Sequence, residues 1–257
     1  MVELQSRVKN FEQNGIWICA ISYDPVEVLG RFAAKQGITY PLLSDADSAV
    51  IRQFGILNTN VPPDHPWHGV PFPGTFMVDE KGRVIEKSFY ADHAVRDSVG
   101  RMLQEVFQVQ DAKRGVVQAF RTDSLKATAY LSAGTIRPGQ VLTFTMEIEV
   151  KAGQHLHARP LPEGYIPTTL RFEEMEGVYF GEVVYPQPKP HRLETLGETL
   201  HVYGDRVVLK ASVRSNRKEG FAVRAMLEYQ SCDDQTCYLP DRIEFEIPLE
   251  VLDNVWD

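Results

Sequence analysis

The sequence predicts an α/β half followed by an all-β half, and three observations carry that division. Up to about residue 108, helical apolar spacing alternates with short apolar runs. From Leu125 onward the period falls to two, in short runs separated by turn residues. Two of the three cysteines, Cys232 and Cys237, stand close together in the second half, and Cys19 stands alone in the first. A chain of 257 residues has room for two ordinary domains. The boundaries read from these shifts are residues 1–108, a polar linker at 109–122, and residues 123–257.

In the first half, Val2, Leu4, Val8 and Phe11 share a helical face, and Asn14-Gly15 ends that helix. Ile16 to Ile21 is a continuous apolar run, as in a strand buried on both faces, and Cys19 within it reads as a small buried hydrophobe. Asp24-Pro25 opens a second helix that runs to Gln36, with Gly37 as its stop. Asp45 or Asp47 can cap a short helix ending at Phe54. The segment Asn58–Pro73, with His65, Trp67 and His68, reads as a surface loop. Thr75–Val78 and Arg83–Phe89 form a hairpin around Asp79–Gly82, and Ala94–Phe107 is a closing amphipathic helix.

That order is thioredoxin-like with its first central strand missing. Three segments carry a family resemblance. They are Ile16 to Asp24, Tyr40-Pro41-Leu42-Leu43-Ser44-Asp45, and Pro73-Gly74-Thr75-Phe76-Met77-Val78-Asp79 with Gly82. Together they resemble the alkyl-hydroperoxide-reductase/thiol-specific-antioxidant group over residues 2 to 108, which implies a peroxiredoxin-like, redoxin-type domain. The resemblance also implies a cis-proline at Pro73, beside an active site.

In that group the reactive cysteine opens the first helix, where the helix N-terminus stabilises a thiolate. No cysteine precedes Val2 here, so no peroxidase activity is expected from the chain as given. The missing strand would lie between the strands at Ile16 and Thr75. Either the sheet closes up or distorts, or Met1 is not the biological start and a longer product supplies the strand. A misread selenocysteine codon would produce such a start, and the upstream coding sequence would decide.

In the second half the clearest runs are Lys126–Leu131, Val141–Val150, Thr169–Phe172, Val178–Val184, Val207–Val213, Ala222–Gln230 and Ile243–Val251. Their number and spacing predict a β-sandwich. Thr143, Thr145, Glu147 and Glu149 alternate with apolar residues, which predicts one wet face on that strand.

Four residues between two cysteines at a hairpin tip can bring their Cα atoms within bridging range. Asp233 and Asp234 beside them disfavour thiolate. Such a pair suits exchange with a docked partner; a static brace and half of a metal site remain open. The metal reading needs two more ligands from among His155, His157, His191 and His201, which nothing in the spacing demands, so no metal or cofactor is expected. Tyr165, Tyr229 and Tyr238 could cover the pair or be ordinary strand aromatics.

Gly153-Gln154-His155-Leu156-His157, Gly164-Tyr165-Ile166-Pro167-Thr168, Tyr185-Pro186-Gln187-Pro188 and above all Tyr229 to Pro240 resemble the N-terminal domain of the DsbD thiol–disulfide interchange family, over residues 123 to 252. The resemblance implies an immunoglobulin-like sandwich in a bacterial, periplasmic setting. It also implies catalytic Cys232 and Cys237 that cycle between dithiol and disulfide. The partner it implies is another thiol–disulfide protein acting as electron donor or acceptor.

The expected function is thus thiol–disulfide oxidoreductase or antioxidant chemistry; the alternative is a partner-binding scaffold whose disulfide is structural. A net charge of −8 argues against nucleic acid as a partner. No apolar run approaches the roughly 18 residues of a membrane span. Met1 is followed by a polar stretch rather than a signal peptide, so an extracytoplasmic location would depend on a start upstream.

Overall fold

The computed structural model describes residues 1–92, 94–109, 114–193, 198–233 and 235–253. The chain divides into two compact units, with the boundary between residues 111 and 112.

The first unit runs α1 (Val2–Gln5), α2 (Val8–Gln13), β1 (Ala20–Ser22), α3 (Val26–Gln36), β2 (Leu42–Ser44), α4 (Ala49–Gln53), β3 (Gly74–Val78), β4 (Val84–Phe89), β5 (Arg96–Asp97) and α5 (Val99–Glu105). The opening helix is broken in two at Ser6, whose hydroxyl donates to the Glu3 carbonyl at 2.8 Å. Such local side-chain bonding competes with helix continuation. Helix α3 matches its expected bounds, with Gly37 in the left-handed conformation that suits a C-terminal stop. Helix α5 starts later than its apolar spacing suggests, because Ser98 caps it by accepting from the Arg101 amide at 3.1 Å.

β1 and β2 pair in parallel, and β3 and β4 pair antiparallel. These are two separate ladders; the sheet does not close up by joining β1 to β3. The run from Ile16 is correspondingly not a strand buried on both faces. Its burial alternates: Ile16 and Ile18 pack against a small core of Phe11, Val99 and Leu103, while Trp17 is 92% exposed and Ile21 43% exposed. Cys19 points outward with Trp17 and is exposed, contrary to its expected burial. A continuous apolar run is sandwiched only when both of its faces are covered, and here one is.

Asp45 does cap α4. Its buried carboxylate accepts from the amides of Val50 at 3.1 Å and Ile51 at 2.8 Å, while Asp47 accepts from Ala49 at 3.3 Å. Burial alone would push the Asp45 carboxyl up, but the amides of Ile51, Val50 and Ala49, with the Asp47 side chain, hold it below its ordinary value. A depressed carboxyl stabilises the fold above its unfolded pKa, and that contribution is lost as pH falls through the folded value. Asp45→Asn should therefore speed hydrogen exchange at the Val50 and Ile51 amides at neutral pH. It should also flatten the acid dependence of the first unit's stability; unchanged exchange would remove the cap from this account.

The second unit contains β6 (Gln118–Arg121), β7 (Leu125–Leu131), β8 (Thr135–Ile136), β9 (Gln140–Val150), β10 (His155–His157), β11 (Thr169–Phe172), β12 (Val178–Phe180), β13 (Lys189–Leu193), β14 (Glu198–Tyr203), β15 (Arg206–Ser215), β16 (Phe221–Tyr229), β17 (Ser231–Cys232) and β18 (Asp241–Val251). One sheet has the order β12-β15-β9-β7-β6, a second β11-β16-β18-β8, and a third β13-β14-β10-β17. Alternating inward residues of β9, β15, β16 and β18 meet in one core that includes Phe144, Met146, Leu209, Leu227, Phe245 and Ile247.

β6 lies inside the stretch read as a linker. It is held by β7 and by a reciprocal pair of 2.8 Å hydrogen bonds between the Gln118 side-chain amide and the Glu246 backbone. The expected wet face of β9 is also only half wet. Thr143 and Thr145 are buried; Tyr130 lies opposite Thr145 and its hydroxyl reaches on to Glu147 at 2.9 Å, while the Thr143 amide donates to the Ser132 hydroxyl at 3.0 Å.

Candidate thiol–disulfide site

β16 and β18 form a long antiparallel hairpin whose last pair is Tyr229 with Asp241. The segment between them carries the cysteines. β17 leaves the hairpin and pairs instead with β10, so that Cys232 lies opposite His155 and Ser231 opposite Leu156. Cys232 and Cys237 are joined by a disulfide, with their Cα atoms 4.1 Å apart. The two sulfur-bearing residues differ sharply in environment. Cys232 is 0% exposed within its paired strand, whereas Cys237 is exposed.

Asp233 holds the turn between them. Its carboxylate accepts from the amides of Gln235 at 2.9 Å and Thr236 at 2.7 Å, and from the Tyr238 hydroxyl at 2.7 Å. The Tyr238 hydroxyl and those two amides keep the Asp233 carboxyl below its ordinary value. The turn is closed further by the Tyr238 amide donating to the Ser231 carbonyl at 2.9 Å. Asp233 is thus committed to shaping the loop. Asp234 lies outside the described residues.

β10 brings two histidines to the pair. In a strand, residues i and i+2 share a face, so His155 and His157 point the same way while Leu156 enters the core. All three are buried. His157 Nε2 is 3.4 Å from Cys232 Sγ. Burial lowers the His157 pKa, partly offset by the Ile166 backbone and the Gln230 side chain, which favours the neutral ring. One imidazole nitrogen from each of His155 and His157 and the sulfur of Cys232 lie within 4.8 Å of one another. The His191 ring stands 4.5 Å from that of His155, and Tyr165 meets His157 edge-on at 4.9 Å.

The three tyrosines therefore separate. Tyr165 lines the site through His157, and Tyr238 covers the loop. Tyr229 is a core aromatic whose hydroxyl donates to Asp241 at 2.9 Å and meets the Thr122 hydroxyl at 3.1 Å; burial pushes its pKa up to about 12. Pro73 does not take its expected cis bond: among the described residues the cis peptide is Arg159–Pro160. It leads directly into β3. His65 and His68 are exposed on their loop.

The approach of His155 and His157 to Cys232 is the feature that residue spacing did not settle. The available signal was His-x-His on a strand, which fixes a shared face but not what that face meets.

Two family models match the chain, one in each unit. Residues 1–87 match the AhpC/TSA family, and residues 124–248 match the family of the thiol:disulfide interchange protein DsbD, N-terminal. Peroxiredoxin Bcp of Xanthomonas campestris is 28% identical over 89 residues, which are 33% of this chain and 52% of that protein. Peroxiredoxin Bcp of Escherichia coli is 29% identical over 85 residues, 32% of this chain and 51% of that protein. The chain spans about half the length of the curated relatives it matches. The reduced DsbD N-terminal domain of Neisseria meningitidis aligns with a TM-score of 0.30 and 16% identity, covering 40% of this chain and 74% of that one. Among the described residues no helix is long and apolar enough to cross a membrane.

Proposed function

We propose that this chain is a thiol–disulfide exchange protein and that Cys232 and Cys237 are its redox pair. The observation that carries this reading is the asymmetry of the disulfide: Cys237 is an exposed residue, whereas Cys232 is buried with its sulfur against an imidazole. A partner thiolate attacks the sulfur of the exposed Cys237. The S–S bond breaks, its electron pair passes to Cys232, and Cys232 leaves as a thiolate next to the His157 ring. The partner's second thiolate then attacks its own sulfur in the mixed disulfide and releases Cys237. Two electrons pass from a partner dithiol to this chain, and the partner becomes a disulfide.

The surrounding unit is read as an immunoglobulin-like sandwich, supported by two mainly antiparallel sheets sharing one core, with β8 alone pairing in parallel, to β18. The partner is another thiol–disulfide protein, in keeping with the interchange family matched at residues 124–248. The first unit supplies only Cys19, which stands alone and exposed, so it adds no second redox pair.

The reduction potential of Cys232–Cys237 tests the reading. A value between about −120 and −270 mV is expected, as for exchange proteins, whereas one below about −300 mV would make the bond structural. Cys19→Ser should leave that potential unchanged.

A further inference from the structure

We propose that reduction of Cys232–Cys237 opens a zinc site built from His155, His157, Cys232 and Cys237. In the disulfide neither sulfur carries a charge to offer a cation. Once the bond is opened, the same atoms become a Cys2His2 donor set, a combination typical of tetrahedral zinc. The imidazoles are already in place, since β10 presents both from one face to the strand that carries Cys232. Zn–S and Zn–N bonds of about 2.3 and 2.0–2.1 Å at a tetrahedral angle separate S from N by about 3.6 Å. His157 Nε2 and Cys232 Sγ are 3.4 Å apart, and the three buried donors lie within 4.8 Å of one another. Closing the site therefore asks for a rearrangement of roughly 1 Å. Cys237 sits on an exposed turn, free to supply the fourth ligand and an entry path.

Binding needs neutral imidazoles and two thiolates, so each zinc displaces about two protons from the reduced pair. Zinc that binds only the dithiol also favours the dithiol, and it raises the reduction potential of the pair by the same linkage. The site would then hold the chain reduced while zinc is present.

The inference shares one disulfide with the exchange reading, but its test does not need a protein partner. A phosphine opens the bond: phosphorus attacks Cys237 Sγ, Cys232 leaves as thiolate, and water converts the phosphonium to phosphine oxide while its protons go to the two sulfurs. The full chain, reduced in this way, freed of reductant and kept anaerobic, is titrated with Zn2+ against a chromophoric chelator. Co2+ is used in parallel to report thiolate ligation by charge-transfer absorption.

One equivalent of Zn2+ is expected for the reduced chain, at an affinity about 100-fold above that of the oxidised chain, with release of about two protons. His157→Gln should weaken binding about 100-fold, and replacing both Cys232 and Cys237 by Ser should abolish the cobalt–thiolate band. Cys19→Ser and the His65→Ala/His68→Ala pair should change nothing. Circular dichroism identifies the variants that remain folded. Should a histidine variant not fold, the comparison of oxidised and reduced wild-type chain still decides. Equal affinity in the two redox states would overturn the proposal, as would undiminished binding in a folded His157→Gln chain.

Discussion

In the reduced chain, an alkylating reagent such as iodoacetamide should modify Cys237 on the order of 100-fold faster than Cys232. The expectation follows from where the two residues sit. Cys237 is exposed on a turn, while Cys232 is fully buried in a strand paired to β10. Reaction at Cys232 requires that strand to open locally, and an opening cost of about 2.8 kcal/mol gives the stated ratio. Peptide mapping of a brief alkylation pulse measures it. The same asymmetry fixes the behaviour of single variants. Cys232→Ala retains the sulfur of the exposed residue and should accumulate a stable mixed disulfide with an activated thiol reagent, because no second thiol is present to resolve it. Cys237→Ala should capture little and exchange nothing. Equal labelling of the two cysteines, or efficient capture by Cys237→Ala, would reverse the assigned direction of attack.

Phe245→Ala should destabilise the second unit by about 3–5 kcal/mol, as read by urea unfolding. Phe245 is buried in β18 opposite Ala225, with Phe120 edge-on at a centroid distance of 5.1 Å. Its loss removes a full aromatic ring from the core that β16 and β18 share, and those strands form the stem of the cysteine loop. Val84→Ala in the first unit offers the contrast. Val84 is exposed on β4, so its truncation should cost no more than about 0.5 kcal/mol. A comparable cost for both changes would contradict the picture of one well-packed core in the β-rich unit.

The parts of this molecule set by local chemistry were legible in its sequence. Asp24-Pro25 and Gly37 bound α3 as expected, and the hairpin around Asp79–Gly82 closes where its turn residues stand. Alternation along residues 243–251 located β18, and the short spacing of Cys232 and Cys237 located the disulfide. What failed depended on neighbours far away in the chain. Ile16–Ile21 looks uniformly apolar, but only structure shows that a single face is covered, leaving Trp17 and Cys19 outside. Thr145 looks like part of a wet face until Tyr130 is placed across the ladder. His155 and His157 become part of the site only through β10–β17 pairing across 75 residues of sequence, which no local period encodes.

The anchoring of Cys232 in β17 has a kinetic consequence. When an incoming thiol captures Cys237, the displaced sulfur cannot drift away: it remains tethered by the short turn that Asp233 clamps. Its effective concentration toward the new mixed disulfide is then set by geometry rather than by diffusion, in the millimolar range or above for so short a tether. Expulsion of a wrong thiol becomes an intramolecular event. Encounters with monothiols should therefore be brief and self-correcting, whereas a partner carrying its own second thiol can compete to complete the transfer.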